Sequence, residues 1–234
     1  MSRKLSFAFI CDNCNKVIRD RLFKHTTKKG VKKHFCSQKC LVKQMNKFSL
    51  NDEQTLQFII NSNEIEEIYY DNGHYERGVT NKKHQIPEIN GQLQALKFLT
   101  NLSIQKKLNT ETICKLHKIL MRDLLGPLEH DIRKCLVRVG HRLCPYPVDI
   151  KPMLETWCKK VNTFENPTED DVWQAHLAYE YIHPFIDGNG RSGRLVWLWL
   201  RFKHGFGYGY VESETKQELY YPQFDNFNWE KWIS

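Results

Sequence analysis

The sequence predicts a mainly α-helical protein: a helical body with one small β-hairpin, preceded by a small cysteine-paired appendage. Three observations carry that prediction. Five or six segments between residues 50 and 205 repeat apolar residues at helical spacing, one stretch near residue 140 reads as a hairpin, and two close cysteine pairs fall in the first 48 residues. A chain of 234 residues is long enough for one good core plus such an appendage.

Charge divides the chain at the same place. Residues 1–48 hold 13 Lys and Arg against two acidic residues, Asp12 and Asp20, whereas the rest holds 22 against 25, so a +11 segment precedes a −3 body. The longest apolar run, residues 195–200, is six residues, far short of the ~20 that a membrane-spanning helix needs. Residues 7–10 are too few for a signal-peptide core and lead into Cys11 rather than a small-residue cleavage site. The expectation is an intracellular protein, cytoplasmic or nuclear, without membrane contact. Cys114, Cys135, Cys144 and Cys158 are scattered, as buried free thiols of a reducing compartment are, with disulfides as the alternative.

In the appendage, residues 1–48, Cys11-x2-Cys14 and Cys36-x3-Cys40 are separated by 21 residues. Thiolates two or three apart can share one tetrahedral ion, so the four cysteines predict a closed structural zinc site, with Zn²⁺ as cofactor. His25 and His34 lack pair spacing and are read as solvated. Residues 35–40 resemble the second zinc knuckle of treble-clef-like fingers, whose last cysteines open a helix, and the resemblance implies that Leu41, Val42 and Met45 give that helix its apolar side. Lys28, Lys29, Lys32 and Lys33 crowd one loop, a patch suited to an acidic protein surface or to nucleic acid, although no aromatics are interleaved for base stacking.

The body, residues 49–234, follows. Ser49 or Asn51 can cap a first helix with Glu53 in its first turn and Leu56, Ile59 and Ile60 inward. Residues 62–67, Ser-Asn-Glu-Ile-Glu-Glu, come next as an acidic helical segment, and residues 69–80 read as a glycine-punctuated loop. Ile89, Leu93, Leu96 and Leu99 restore helical spacing. Thr110 caps a helix that turns Ile113, Leu116, Ile119 and Leu120 inward and ends at Gly126-Pro127. Residues 133–140, with Leu136, Val137 and Val139 able to face a sheet, begin the hairpin, which Pro145 and Pro147 close. Arg133 and Arg138 are candidate phosphate ligands there. Residues 153–161 form a helix anchored by Trp157, and Asp170-Asp171 opens another with the stripe Val172, Ala175, Tyr179 and Ile182. His176, one face off that stripe, reads as a core or rim histidine. Residues 195–202 are apolar nearly all round and predict a central helix stopped by Gly205, and Trp229 and Trp232 dock the tail.

Residues 183–194, His-Pro-Phe-Ile-Asp-Gly-Asn-Gly-Arg-Ser-Gly-Arg, join the last two of these helices. A helix start leaves backbone amides unpaired at the positive end of the dipole, so Gly188, Asn189 and Gly190 can present bare N–H groups to an anion. Arg191 and Arg194 are three apart and carry forked donors that match phosphate oxygens. Asp187 is a hard oxygen ligand for Mg²⁺, and His183 titrates near neutrality and can take a proton from a hydroxyl. Base, metal ligand, anion hole and arginines together describe nucleotidyl or phosphoryl transfer.

The same stretch resembles, at every fixed position, the Fic-family signature His-Pro-Phe-x-Asp-Gly-Asn-Gly-Arg-x-Gly-Arg. The resemblance covers roughly residues 50–224 and implies a Fic-type helical domain that transfers AMP from Mg·ATP, with Mn²⁺ an alternative to Mg²⁺, to a Ser, Thr or Tyr hydroxyl of a protein. It gives further residues a role. Ser62 and Glu66 stand in the fixed places of the family's inhibitory motif, whose glutamate pairs with the second signature arginine, here Arg194, and so denies it to the terminal (γ) phosphate of ATP, although Glu67 stands where the family has Gly or Asn. Residues 133–147 resemble the family's target-docking flap, and Tyr220 and Tyr221 resemble its paired tyrosines near the adenine pocket. Removal of AMP, transfer of another nucleotide or phosphoryl group, and a zinc-finger adaptor with a silent Fic body are the alternatives; a homodimer is left open.

Overall fold

The computed structural model describes residues 9–10, 17–18, 23–26, 32–35, 50–80, 86–102, 106–125 and 131–234, the strands before residue 50 as backbone only. The four predicted zinc ligands, Cys11, Cys14, Cys36 and Cys40, and the helix expected after them lie outside the described residues. Before residue 50, β1 (Phe9–Ile10) pairs antiparallel with β2 (Val17–Ile18), and β3 (Phe23–Thr26) with β4 (Lys32–Phe35) in the register Phe23↔Phe35.

The body is helical. Asn51 caps α1 (Asp52–Ile65) in a reciprocal capping box with Gln54, and Asp52 and Glu53 complement the dipole in the first turn. The buried face of α1 is Phe58, Ile59, Ser62, Asn63 and Ile65; Leu56 and Ile60 are only half-buried, so the face includes polar residues that hydrophobic periodicity does not find. Its acidic end is no separate segment, because α1 runs through Ser62 to Ile65.

The predicted loop 69–80 is instead largely helix α2 (Asn72–Thr80). Asp71 supplies the missing cap, its carboxylate accepting from the His74 amide at 2.9 Å. Gly78 marks a close approach rather than a turn: a Cβ there would lie 2.7 Å from Cγ2 of Ile89 on α3 (Pro87–Asn101). In α3, Ile89, Leu96 and Leu99 are buried as expected, joined by Ala95 and by Gln92, which donates to Asn63 of α1 at 2.5 Å. The cap of α4 (Thr110–Met121) is Asn109, not Thr110, and the helix stops at Met121, before Gly126-Pro127, which lie outside the described residues.

The hairpin is β5 (Arg138–Val139) and β6 (Arg142–Leu143), paired Arg138↔Leu143 and Val139↔Arg142. Leu136, Val139 and Leu143 face solvent, since no further strand covers them among the described residues. Pro147 opens α5 (Pro147–Thr163), longer than predicted, where its missing N–H costs nothing. Trp157 anchors α5, fully buried and donating through its indole N–H to the Ala175 carbonyl. A Thr168/Asp171 capping box starts α6 (Glu169–Ile182), and the predicted stripe Val172, Ala175, Tyr179 and Ile182 is buried.

At the centre lies α7 (Asn189–His204), buried from Arg191 through Leu200 and packed on α1, α3, α4 and α6. Gly205, at φ 89°, ends it in the left-handed region that glycine alone adopts freely. A strap then runs back to α1, passes through a single wide turn of π-type hydrogen bonding (Lys216–Tyr220), and ends in α8 (Pro222–Asp225) and α9 (Trp229–Ile233), where Trp229 stacks on Tyr181. No helix among the described residues is long and apolar enough to cross a membrane. Of the scattered cysteines, Cys144 and Cys158 are buried and Cys114 half-buried, but Cys135 is exposed; all four are free thiols.

Candidate active site

The junction between α6 and α7 is built around a strained histidine. His183 caps α6 at φ 50° and ψ 63°, a left-handed conformation that costs a non-glycine residue about 1 kcal/mol. Neighbouring side chains hold it there. Arg133 donates to the His183 carbonyl at 2.7 Å, and its backbone amide donates to Pro184 at 2.9 Å. Its other guanidinium nitrogens take the carbonyls of Cys135 and Pro145, so Arg133 is a clamp on this turn and not a phosphate ligand. Arg138 likewise closes its own hairpin by donating to His141. Arg142 donates to the carbonyls of Tyr181 and Glu180 and lies over the Tyr181 ring, locking the end of α6.

Burial pushes the His183 imidazole down to about 4, and the positive charges of Arg142 and Arg133 push the same way, against the Glu180 carbonyl. At neutral pH the ring is therefore an uncharged base.

The loop that follows is closed by Asn189, whose side chain accepts from the Phe185 amide at 2.8 Å and donates to the Phe185 carbonyl at 2.9 Å. His117 of α4 stacks on Phe185 with ring centroids 3.6 Å apart and hydrogen-bonds the Asp187 carbonyl at 2.8 Å. Gly188, at φ 75°, starts α7, and a Cβ there would strike Met121 Sδ at 2.6 Å. Its amide is not bare as predicted: it donates to Asp187 Oδ1 at 2.5 Å. The first hydrogen bond of the new helix runs from Ser192 to Gly188, so the open amides are those of Asn189, Gly190 and Arg191. Arg191 is buried and reaches Asp187 Oδ2 at 3.2 Å; Asp187 itself keeps 55% of its side-chain surface exposed.

Glu66 sits over this helix start. Its Oε1 accepts from Arg194 Nη2 at 2.6 Å and would lie 2.1 Å from a Cβ added to Gly190. Arg194 is 2% exposed and also donates to Ser62 Oγ at 3.1 Å, to the Ser62 carbonyl at 2.8 Å and to the Tyr220 hydroxyl at 3.3 Å. Burial works against the guanidinium charge, but the Glu66 carboxylate overcomes it and holds the group above its usual range. Glu67 adopts the left-handed conformation, φ 61°, without being glycine or asparagine, and thereby ends α1 just past Glu66.

The end of α1 is gripped from the strap. Lys216 Nζ caps the carbonyls of Glu64 and Ile65 at 2.7 and 3.3 Å, the Tyr221 hydroxyl donates to Ile65 at 2.6 Å, and the Ser213 hydroxyl donates to the Glu64 carboxylate at 2.6 Å. Tyr221 thus faces the end of α1, and Tyr220 is buried against Arg194 and His176. Behind them Glu180 is buried beside Gly193, and burial raises its carboxyl to about 8. His117, Arg142, Glu180 and Lys216 escaped sequence reading; their partners are backbone carbonyls or distant side chains, which no local spacing marks. Among the described residues no group of three or more His, Cys, Asp or Glu side chains is gathered for a metal.

Comparison with known proteins bears on the same region. Residues 107–200 match the Fic/DOC family. The protein adenylyltransferase Fic of Drosophila erecta is 30% identical over 139 residues, 57% of this chain and 28% of that protein, and its Drosophila melanogaster counterpart is 28% identical over the same length. The chain thus matches under a third of the length of these curated relatives. Among solved structures, Fic-1 from C. elegans (residues 134–508) superposes with a TM-score of 0.60 at 22% identity, covering 82% of this chain and 63% of that one. A Fic-domain-containing signaling protein from Bacteroides thetaiotaomicron gives 0.60 at 19%, covering 71% and 70%. Both likenesses establish the fold.

Proposed function

We propose, from the match of residues 107–200 to the Fic/DOC family and the Fic-type fold, that the protein moves AMP from Mg·ATP to a Ser, Thr or Tyr hydroxyl of a target protein and is restrained by its own Glu66. One observation carries this reading. The Glu66 carboxylate lies between the amide end of α7 and the Arg194 guanidinium, so an anion already occupies the cradle that a polyphosphate would take.

The chemistry follows from the residues around that cradle. The acceptor oxygen forms a bond to the α-phosphorus while the bond to the bridging oxygen breaks and pyrophosphate leaves. His183, uncharged at neutral pH, takes the hydroxyl proton on its ring nitrogen. The amides of Asn189, Gly190 and Arg191 and the two guanidinium groups meet the phosphate oxygens. Asp187 fits a Mg²⁺ ion: its exposed carboxylate stands at the helix start, and Mg²⁺ bound to nucleotide uses one or two carboxylates and fills its shell with phosphates and water. Bound there, the ion neutralises phosphate charge.

The test is incubation of the wild type, Glu66→Gly and His183→Ala with α-labelled ATP and Mg²⁺, reading label on the protein and on added candidate targets. We expect strong labelling by Glu66→Gly, weak labelling by the wild type, and a loss of about 10²- to 10⁴-fold in His183→Ala, the usual general-base contribution. Equal labelling by wild type and Glu66→Gly would remove the inhibitory role, and near-normal labelling by His183→Ala would remove the mechanism.

Residues 1–48 we read as a separate unit in which Cys11, Cys14, Cys36 and Cys40 hold one Zn²⁺. Its lysine-rich loop would then dock an acidic surface of a protein or nucleic acid. The support is the pair spacing and the concentration of positive charge.

A further inference from the structure

The partners of Arg194 fall into two groups. Ser62 Oγ, the Ser62 carbonyl and Glu66 all belong to α1, the helix read above as inhibitory. The Tyr220 hydroxyl, 3.3 Å from Nη1, comes from the strap and not from α1, although the strap itself is hydrogen-bonded to α1 through Lys216 and Tyr221. If α1 draws back, Tyr220 is the partner with a second anchor outside α1, His176 of α6.

Tyr220 is itself oriented from behind. Its hydroxyl lies 2.9 Å from Nε2 of His176, which is 1% exposed on the inner face of α6. Arginine has only donors, so the tyrosine oxygen must accept from Arg194, which leaves the tyrosine hydrogen for Nε2. That requires an uncharged His176 with its hydrogen on Nδ1, and burial supplies it by pushing the imidazole down to about 3. Nδ1 in turn faces Glu180 Oε1 at 4.0 Å, too far for a hydrogen bond. The His176 and Tyr220 rings stack at 17°, and Phe224 stands edge-on to Tyr220 with centroids 4.9 Å apart, so neither ring can turn freely. Such a buried His–Tyr pair makes no surface contact; its output is the direction of one lone pair.

We propose that Tyr220, oriented by His176, is a positioning residue that holds Arg194 in its phosphate-binding pose after Glu66 has left. The inference rests on the reading of Arg194 as a ligand of the terminal phosphate of ATP. It also gives Tyr220 a place different from the adenine pocket: the ring is 3% exposed and turned toward the arginine.

ATP and ADP separate the two roles, because only ATP carries the phosphate that Arg194 would meet. The experiment measures binding of Mg·ATP and Mg·ADP by calorimetry to Glu66→Gly/His183→Ala, which has an open cradle and no turnover, alone and with Tyr220→Phe, His176→Leu or His176→Gln added. Losing one hydrogen bond should weaken ATP binding about fivefold or more, with ADP binding within twofold. Tyr220→Phe and His176→Leu should both show this split. His176→Gln, whose amide oxygen can replace Nε2 as acceptor, should restore most of the ATP preference. Equal loss of ATP and ADP, or no loss of either, would overturn the proposal. If the parent double variant binds neither nucleotide, the functional reading above falls and this inference falls with it. If the parent binds both and the substitutions leave the ATP preference intact, only this inference falls. Tyr220→Phe keeps the packed ring, and its unfolding temperature checks that the site remains folded.

Discussion

A carboxyl that cannot stay charged is the residue-scale feature with the clearest signature in stability. Glu180 is buried with its Oε1 against Gly193, where a Cβ would come within 2.1 Å, and its carboxyl is raised from 4.5 to about 8, chiefly by burial. Between those values the folded protein binds a proton that the unfolded chain has lost. Stability contributed by this residue is therefore complete below about pH 4.5 and declines as pH rises toward 8. Glu180→Gln, which is neutral throughout, should match the wild type in unfolding free energy near pH 4.5 and exceed it by at least ~1 kcal/mol near pH 8. Denaturant titrations at the two pH values check this, and a constant difference would refute it. Nothing in the sequence marked Glu180. It reads as a polar residue on an amphipathic helix, and only the missing side chain of Gly193, thirteen positions on, makes room for it. The opposite holds for residues 183–194, where base, carboxylate, amides and arginines are contiguous and their chemistry could be read directly. Arg133 and Arg142 sit between these extremes: their charge suggested phosphate for Arg133, but buried carbonyls at the turn claimed both guanidinium groups.

Among the elements, α1 is the one that carries the proposed inhibitory Glu66, and it is fastened at its C-terminal end by Lys216 and Tyr221. Lysine on the last carbonyls of a helix satisfies acceptors that otherwise lack partners and complements the dipole. Lys216→Met should therefore loosen the end that carries Glu66 and raise basal self-labelling severalfold. The same change added to Glu66→Gly should do nothing further, since the carboxylate is already gone. Labelling assays on the four proteins test the coupling; a fall in both backgrounds would indicate general damage instead. The pairing of Glu66 with Arg194 spans 128 positions and was legible only through resemblance to a known motif. The reach of Lys216 to Glu64 was not legible at all. Helix α2 was missed for a different reason: its glycines look like loop punctuation, yet Gly78 is where α2 and α3 come together too closely for any side chain.

For the molecule as a whole, charge divides the chain, with the +11 segment of residues 1–48 before a body of net charge −3. If the first segment is an independent zinc unit, the purified protein should contain one zinc per chain by elemental analysis. Cys36→Ser should lose the metal while the main helical unfolding transition by circular dichroism stays within a few degrees. Loss of the helical transition along with the metal would make the two parts one cooperative unit. The helical body was the most legible part of the fold, because stripes such as that of α6 and the unbroken apolar run of α7 leave a buried position as their only solution.

Glu66 is bound to Arg194 by a tether, the turn at Glu67 and the strap that grips α1, so its local concentration is a property of the chain and not of the solution. Dilution cannot release it, and neither can a rise in protein concentration. On the function proposed above, a competing polyphosphate would release it in proportion to its own abundance, and the resting output would be a ratio and never zero. A partner that pulls on α1 or the strap would lower that local concentration directly, and would set the output of the proposed reaction without touching His183.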